Sequence, residues 1–124
     1  MTLRRLFLPL LALCLLLPVA GWAQDAKKGR EIALAHCSRC HVLPDSNAFG
    51  GIGSTPSFKL LANLDDGLER FDSFFERRPH PSVIRLPGVA PPSDQEPTTV
   101  PIELQPSDID DLVAYAKTLR DVKD

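Results

Sequence analysis

The sequence predicts a small all-α domain with three main helices and a long proline-rich loop before the last helix. Apolar residues recur at helical spacing near the C-terminus and again between Leu64 and Arg78. Eight prolines fall between residues 79 and 106. That density excludes a helix or a central strand from this segment, because proline lacks the N–H that both structures use.

The first 23 residues have the composition of a secretory signal peptide. Two arginines precede an apolar run over residues 6–17, and Gly21-Trp22-Ala23 places small residues at the cleavage positions. The apolar run is short for a membrane span, so an uncleaved anchor is the less favoured alternative. We therefore expect a signal peptide over residues 1–23 and one periplasmic domain over residues 24–124.

Cleavage changes the formal net charge of the chain from −2 to −4, because Arg4 and Arg5 leave with the signal peptide. A mildly acidic surface argues against nucleic acid as a partner. It is compatible with docking on a basic patch of a redox protein.

The first helix is predicted from Asp25, a favoured N-cap residue, to about Cys40. It runs into Cys37-Ser38-Arg39-Cys40-His41, the C-x-x-C-H pattern at which haem c is attached. The spacing lets the thiols of Cys37 and Cys40 reach one edge of the porphyrin, where they add across the two vinyl groups. His41 is then the axial ligand of the iron on the proximal side.

A disulfide, a thioredoxin-like redox site and a zinc site are the alternatives for the two cysteines. No strand–helix–strand pattern surrounds them. A zinc site needs four ligands, whereas the mature chain has two cysteines, three histidines and no second C-x-x-C. The histidine directly after the second cysteine, together with export, favours haem.

Two more helices are predicted after a glycine-containing loop. A short helix begins near Phe58, and the second main helix covers Leu64–Arg78 with an aromatic stripe on one face. The last helix follows the proline-rich segment, with Ser107 as its N-cap and acidic residues in its first turn. Its apolar stripe consists of Ile109, Leu112, Val113, Ala116 and Leu119.

Residues 29–41 and 107–120 resemble the small class I-type cytochromes c. Gly29 lies eight residues before Cys37, and Asp111-Leu112-Val113-Ala114-Tyr115 is similar to the family's terminal helix. The resemblance implies a cytochrome c-like domain wrapped around one covalently bound haem, with Tyr115 laid across Gly29. The chain departs from the family at Ala33, where a second aromatic residue is common.

Thr55-Pro56-Ser57-Phe58 is similar to a family segment in which a proline carbonyl accepts the Nδ1–H of the proximal histidine. The resemblance implies that Pro56 orients His41, as partners of metal-binding histidines commonly do. From the residues alone, an ordinary turn proline is an equal alternative.

The only methionine is Met1, so the mature chain lacks the methionine ligand that the resemblance implies. Three states of the distal side remain open. In the first, His80 is the second iron ligand, although a surface histidine capping a helix end is the slightly favoured alternative. In the second, apolar residues such as Val83 and Ile84 leave the iron five-coordinate. In the third, Lys59 or water binds.

The resulting prediction is a periplasmic carrier of single electrons, not an enzyme, with a dehydrogenase or a terminal oxidase or reductase as its redox partner. Loss of methionine predicts a lower haem potential than that of His/Met cytochromes. One alternative is a ligand-binding or sensing haem protein with an open iron. A weaker alternative is a small haem peroxidase. Such an enzyme needs a distal acid–base pair of histidine and arginine, and His80 and Arg85 are merely near each other in sequence.

Overall fold

The computed structural model describes residues 23–44 and 46–121, so the predicted signal peptide lies outside the described residues except for Ala23. The described chain is mainly helical, which confirms the all-α class. It has four α-helices, which are the three main helices predicted and the short helix predicted near Phe58. They are α1 (Ala26–Ile32), α2 (Phe58–Ala62), α3 (Gly67–Asp72) and α4 (Pro106–Thr118).

Helix α1 begins where the sequence predicts. The Asp25 carboxylate accepts hydrogen bonds from the N–H groups of Lys27 and Lys28, at 2.9 and 3.2 Å. These bonds satisfy two of the donors that a helix start leaves unpaired. After Ile32 the helix continues through a wider π-helical turn, Ala33–Cys37, directly into the cysteine motif.

The predicted helix over Leu64–Arg78 is wrong in its extent. Helix α3 stops at Asp72, and a separate 3₁₀ turn covers Phe74–Glu76. The break lies at Ser73, whose hydroxyl donates to the Glu69 carbonyl at 2.8 Å. Such a side-chain bond competes with the backbone ladder and bends or ends a helix.

The predicted N-cap of the last helix is also wrong. Gln105 is the N-cap of α4, and Pro106 takes the first helical position, where its fixed φ and missing N–H are tolerated. The Asp108 carboxylate reaches back to the Gln105 N–H at 2.8 Å. Ser107 therefore lies inside the first turn.

Helices α1 and α4 cross at Gly29. A Cβ on Gly29 would collide with the backbone carbonyl of Asp111, so only glycine allows this approach. The Asp111 carboxylate is buried and accepts the Asp25 N–H at 2.8 Å. Lys28 Nζ lies 2.9 Å from both Asp108 and Asp111. A backbone contact and a charged cluster therefore join the two ends of the domain.

The core lies where α4 packs against α1 and the middle helices. It is formed by buried apolar side chains from the π-helical turn after α1, from α2, α3 and α4, and from the loop after the motif. They are Ala33, Leu43, Phe58, Ala62, Phe71, Leu112, Tyr115 and Ala116.

The proline-rich segment contains no central strand in its described residues, but short elements close its base. A 3₁₀ turn covers His80–Ser82, and strand β1 (Ile84–Arg85) pairs in parallel with β2 (Ile102–Glu103). Residues 87–100 between the strands are exposed throughout. Within residues 23–44 and 46–121, no helix has the length and apolar character required to cross a bilayer.

Candidate functional site

The cysteine motif forms one continuous helical turn. The Cys40 N–H and the His41 N–H both donate to the Cys37 carbonyl, at 3.1 and 2.9 Å. Both cysteines are half-buried and neither forms a disulfide. The turn thus presents two thiols and an imidazole together, the donor set that covalent haem attachment requires.

The environment of the first thiol argues against a thioredoxin-like site. Burial, reinforced by the nearby Cys40, raises the pKa of the Cys37 thiol to about 12. A redox-active dithiol needs the opposite shift, because the thiolate is the nucleophile. The surroundings of Cys37 suit a sulfur that carries no charge, as in a thioether.

The ring of His41 has a fixed orientation. Its Nδ1 lies 2.7 Å from the Pro56 carbonyl oxygen, and a carbonyl can only accept. Nδ1 therefore carries the proton and Nε2 carries the lone pair that a metal would bind. The structure brings Pro56 to the position that the family resemblance implies for it.

Asn47 supports the motif turn through three hydrogen bonds. Its carbonyl oxygen accepts the Leu43 N–H at 2.6 Å. Its amide donates to the Ser38 and His41 carbonyls, at 2.7 and 2.9 Å. No pattern distinguishes this asparagine from its neighbours in a polar loop, so only the fold reveals the contact.

Phe58 links the motif to the core. Its ring meets the His41 ring edge-on, with centroids 5.3 Å apart and planes at 69°. It also contacts Phe71 and Tyr115, at centroid distances of 5.0 and 6.2 Å. Tyr115 therefore reaches the site through Phe58, while the atoms nearest Gly29 belong to the α4 backbone one turn earlier.

His80 faces His41 from a different part of the chain. The two ring centroids are 6.1 Å apart, and the ring planes differ by 5°. His80 Nδ1 lies 2.9 Å from the Arg77 carbonyl, and Phe74 meets the ring edge-on at 5.3 Å. Burial lowers the pKa of His80, although the bond to the Arg77 carbonyl opposes this shift. The lowered pKa favours the neutral imidazole.

The other distal candidates have different contacts. Lys59 Nζ lies 3.2 Å from an Asp121 carboxylate oxygen, and its side chain is 58 % exposed. The Arg85 guanidinium donates to the carbonyls of Pro81 and Ile84, at 3.0 and 2.8 Å. Arg85 therefore holds the base of the proline-rich segment, which gives no support to a catalytic His80–Arg85 pair.

Val83 and Ile84, the apolar residues predicted for an open distal side, are half-buried. The Val83 carbonyl accepts the Ile102 N–H at 2.8 Å. Their side chains offer no ligand atom, so they can only form a wall.

The residues present fit a haem group. One turn supplies two thiols and an imidazole with a lone pair on Nε2, and a second imidazole faces the first. The aromatic rings of Phe58 and Phe74 meet the two imidazoles edge-on. A family model described as Cytochrome c matches residues 26–120, which run from the start of α1 past the end of α4. No curated protein and no solved structure matches the chain.

Proposed function

Because the chain belongs to the cytochrome c family, we propose that it is a periplasmic carrier of single electrons whose haem iron has a distal ligand other than methionine. Family membership itself gives the coarser statement, which is a haem-binding cytochrome with covalently bound haem c that transfers electrons. The proposal adds the compartment, the attachment residues and the absence of methionine ligation.

In this proposal Cys37 and Cys40 anchor the haem and His41 is the proximal ligand. The observation that carries it is the 2.7 Å bond between His41 Nδ1 and the Pro56 carbonyl. That bond holds the ring in one tautomer and one orientation beside both thiols. Oriented imidazoles are stronger and more uniform ligands than free ones.

Held by Cys37, Cys40 and His41, the haem would supply a one-electron couple for exchange with a donor and an acceptor protein. The chain contributes the attachment, the axial donor and an apolar surrounding formed by Phe58 and Phe71, both nearly fully buried.

Export is supported by the sequence of residues 1–23, with its basic start, apolar run and small-residue cleavage site. The mature charge of −4 suits a donor or acceptor with a basic docking patch. Its proposed redox partner is a dehydrogenase or a terminal oxidase or reductase.

The test is expression of the full chain in a bacterium that attaches haem c in its periplasm. We expect the periplasmic fraction to contain a chain that begins at Gln24 and carries the mass of one haem. The double variant Cys37→Ser/Cys40→Ser should be exported without haem. A redox titration should follow a one-electron Nernst curve. Wild-type protein without haem, with both thiols open to alkylation, would contradict the proposal.

A further inference from the structure

We propose that His80 is the second axial ligand, so that His41 and His80 bind the haem iron from opposite sides. This inference rests on the proposed haem site and specifies its distal half. The two histidines lie 39 residues apart in the sequence, on the motif turn and on the 3₁₀ turn His80–Ser82.

The distance between the two rings is the first reason. A histidine nitrogen lies about 2.0–2.1 Å from a bound transition metal, and the ring centre lies about 1 Å further away. Two imidazoles on opposite sides of one metal therefore have centroids roughly 6 Å apart, as estimated from the same bond lengths. The observed separation is 6.1 Å, with the planes 5° from parallel.

The tautomer of each ring is the second reason. His41 Nδ1 donates to the Pro56 carbonyl at 2.7 Å, and His80 Nδ1 donates to the Arg77 carbonyl at 2.9 Å. Each bond places the proton on Nδ1 and leaves the lone pair on Nε2. Both histidines thus have the carbonyl partner that metal-binding histidines commonly use.

The position of the Arg77 carbonyl, which accepts from the His80 ring, is itself fixed by hydrogen bonds. The same oxygen also accepts the His80 backbone N–H at 3.0 Å, and the Arg77 N–H donates to the Phe74 carbonyl at 2.9 Å. Arg77 Nε donates to the Ser73 hydroxyl at 3.1 Å. These bonds orient the His80 ring. A helix-capping histidine would need only the carbonyl bond, and capping does not account for a half-buried ring parallel to His41.

The aromatic neighbours repeat the pattern. Phe58 meets the His41 ring edge-on at 5.3 Å, and Phe74 meets the His80 ring edge-on at 5.3 Å. Each imidazole is therefore held by one backbone carbonyl and one phenyl ring, supplied by its own part of the chain. The same construction on both sides identifies His80 as the counterpart of His41.

The test uses visible spectra of the exported wild-type holoprotein, oxidised and reduced, with and without carbon monoxide. We expect low-spin spectra in both states, no far-red band of iron–methionine ligation and no shift on adding carbon monoxide. The oxidised protein should give a rhombic low-spin electron paramagnetic resonance signal, because parallel imidazole planes split the iron π orbitals. A prompt carbon monoxide shift in the wild-type protein would overturn the inference.

The variant His80→Ala should retain one haem per chain, become high-spin and bind carbon monoxide fully. Added imidazole should restore the low-spin spectrum, which a merely structural role of His80 does not predict. His36→Ala is the matched control, since His36 is exposed and adjoins the motif, and its spectra should equal those of wild type.

His80→Met provides a second variant in case His80→Ala does not accumulate. We expect it to stay low-spin, to gain the far-red band and to have a higher potential than wild type. Unchanged spectra and potential in His80→Met, or low-spin spectra in His80→Ala without imidazole, would overturn the inference. Wild-type protein without any haem would instead contradict the proposed function.

Discussion

The proximal half of the site, residues 37–58, and the distal half, residues 74–104, orient their histidines with the same kind of bond but by different routes. On the proximal side, the motif turn, Asn47 and Pro56 are neighbours in sequence, and Phe58 and Leu43 are buried in the core. On the distal side, a 3₁₀ turn and a two-residue strand pair support His80, and residues 87–100 are exposed. The two histidines therefore have the same kind of carbonyl partner, but the residues around His41 are more deeply buried than those around His80.

This difference teaches that the two halves should fail in different ways. Substitutions in the proximal half that remove core packing should lower the free energy of unfolding of the domain. Damage to the distal half should alter the iron's coordination while most of the core remains. Matched variants on the two sides separate these outcomes.

The largest contrast is expected between Phe58→Ala and Phe74→Ala. Both rings meet a histidine edge-on at 5.3 Å, but Phe58 is 4 % exposed and Phe74 is half-buried. Phe58→Ala should lower the free energy of unfolding by about 3–5 kcal/mol, since it leaves a core cavity. Phe74→Ala should lower the free energy of unfolding by only about 1–2 kcal/mol, because folding buries less of the Phe74 side chain than of the Phe58 side chain.

Urea unfolding of the two holoproteins, followed by circular dichroism, measures this contrast. Carbon monoxide binding to the reduced proteins supplies the second readout. Phe74→Ala should bind carbon monoxide more readily than wild type because the His80 ring loses its support. Equal destabilisation by the two variants would contradict the unequal packing of the halves.

A second variant tests the helix crossing on which the proximal half depends. Helix α1 leads into the motif turn, and Gly29 touches the Asp111 backbone. Gly29→Ala should cost about 1–3 kcal/mol, because the added methyl forces the helices apart. Gly53→Ala is the control, since a Cβ there meets nothing within 4 Å. Thermal unfolding of both should show a loss only for Gly29→Ala.

Asn47→Ala tests the support of the motif turn. The substitution leaves the Leu43 N–H and two carbonyls without their partner, which should cost about 1–3 kcal/mol. Asn63→Ala is matched, because Asn63 bonds the Lys59 and Leu119 carbonyls and the Asp121 N–H away from the motif. Both variants should lose stability in urea, but only Asn47→Ala should also shift the haem spectrum.

The smallest effect concerns the charged cluster between α1 and α4, outside both halves. Burial raises the pKa of Asp108, but bonds from the Gln105 N–H and the Lys28 ammonium outweigh it and hold that pKa below its ordinary value. A carboxyl group whose pKa is lowered by folding stabilises the folded domain at pH values above its ordinary pKa of about 4. That contribution is lost as the pH falls below this value.

Asp108→Asn should therefore be less stable than wild type near pH 6, and the difference should shrink as the pH approaches 3. Urea midpoints across this range measure it. Asp110→Asn removes one charge from the same helical turn but not from the Lys28 bridge, so its difference from wild type should depend less on pH. Neither variant should change the haem spectrum.

The sequence predicts the parts that depend on short-range rules. The Asp25 cap and the helix leading into the motif follow from propensity and spacing. The approach of Gly29 to α4 and the position of Pro56 follow from the family resemblance. The sequence does not predict that Gln105 rather than Ser107 caps α4, because the Asp108 side chain decides between the two.

The distal half was less predictable because its contacts join separated segments. Ile84 pairs with Ile102 across an exposed loop, and two-residue strands leave no periodic pattern to detect. The sequence makes His80 available as a ligand, yet its orientation depends on the Arg77 carbonyl and on the end of α3 at Ser73. That helix end contradicts the apolar periodicity, which continues to Phe75.

The most direct measurement is a proton–nitrogen spectrum of the reduced holoprotein labelled with ¹⁵N-histidine. The sequence contains His36, His41 and His80 and no other histidines. If both axial ligands are histidines, two rings will show the large upfield shifts produced by the haem ring current, and His36 will not. One of the two shifted rings should disappear in His80→Ala. A single shifted ring in the wild-type protein would contradict a haem held between His41 and His80.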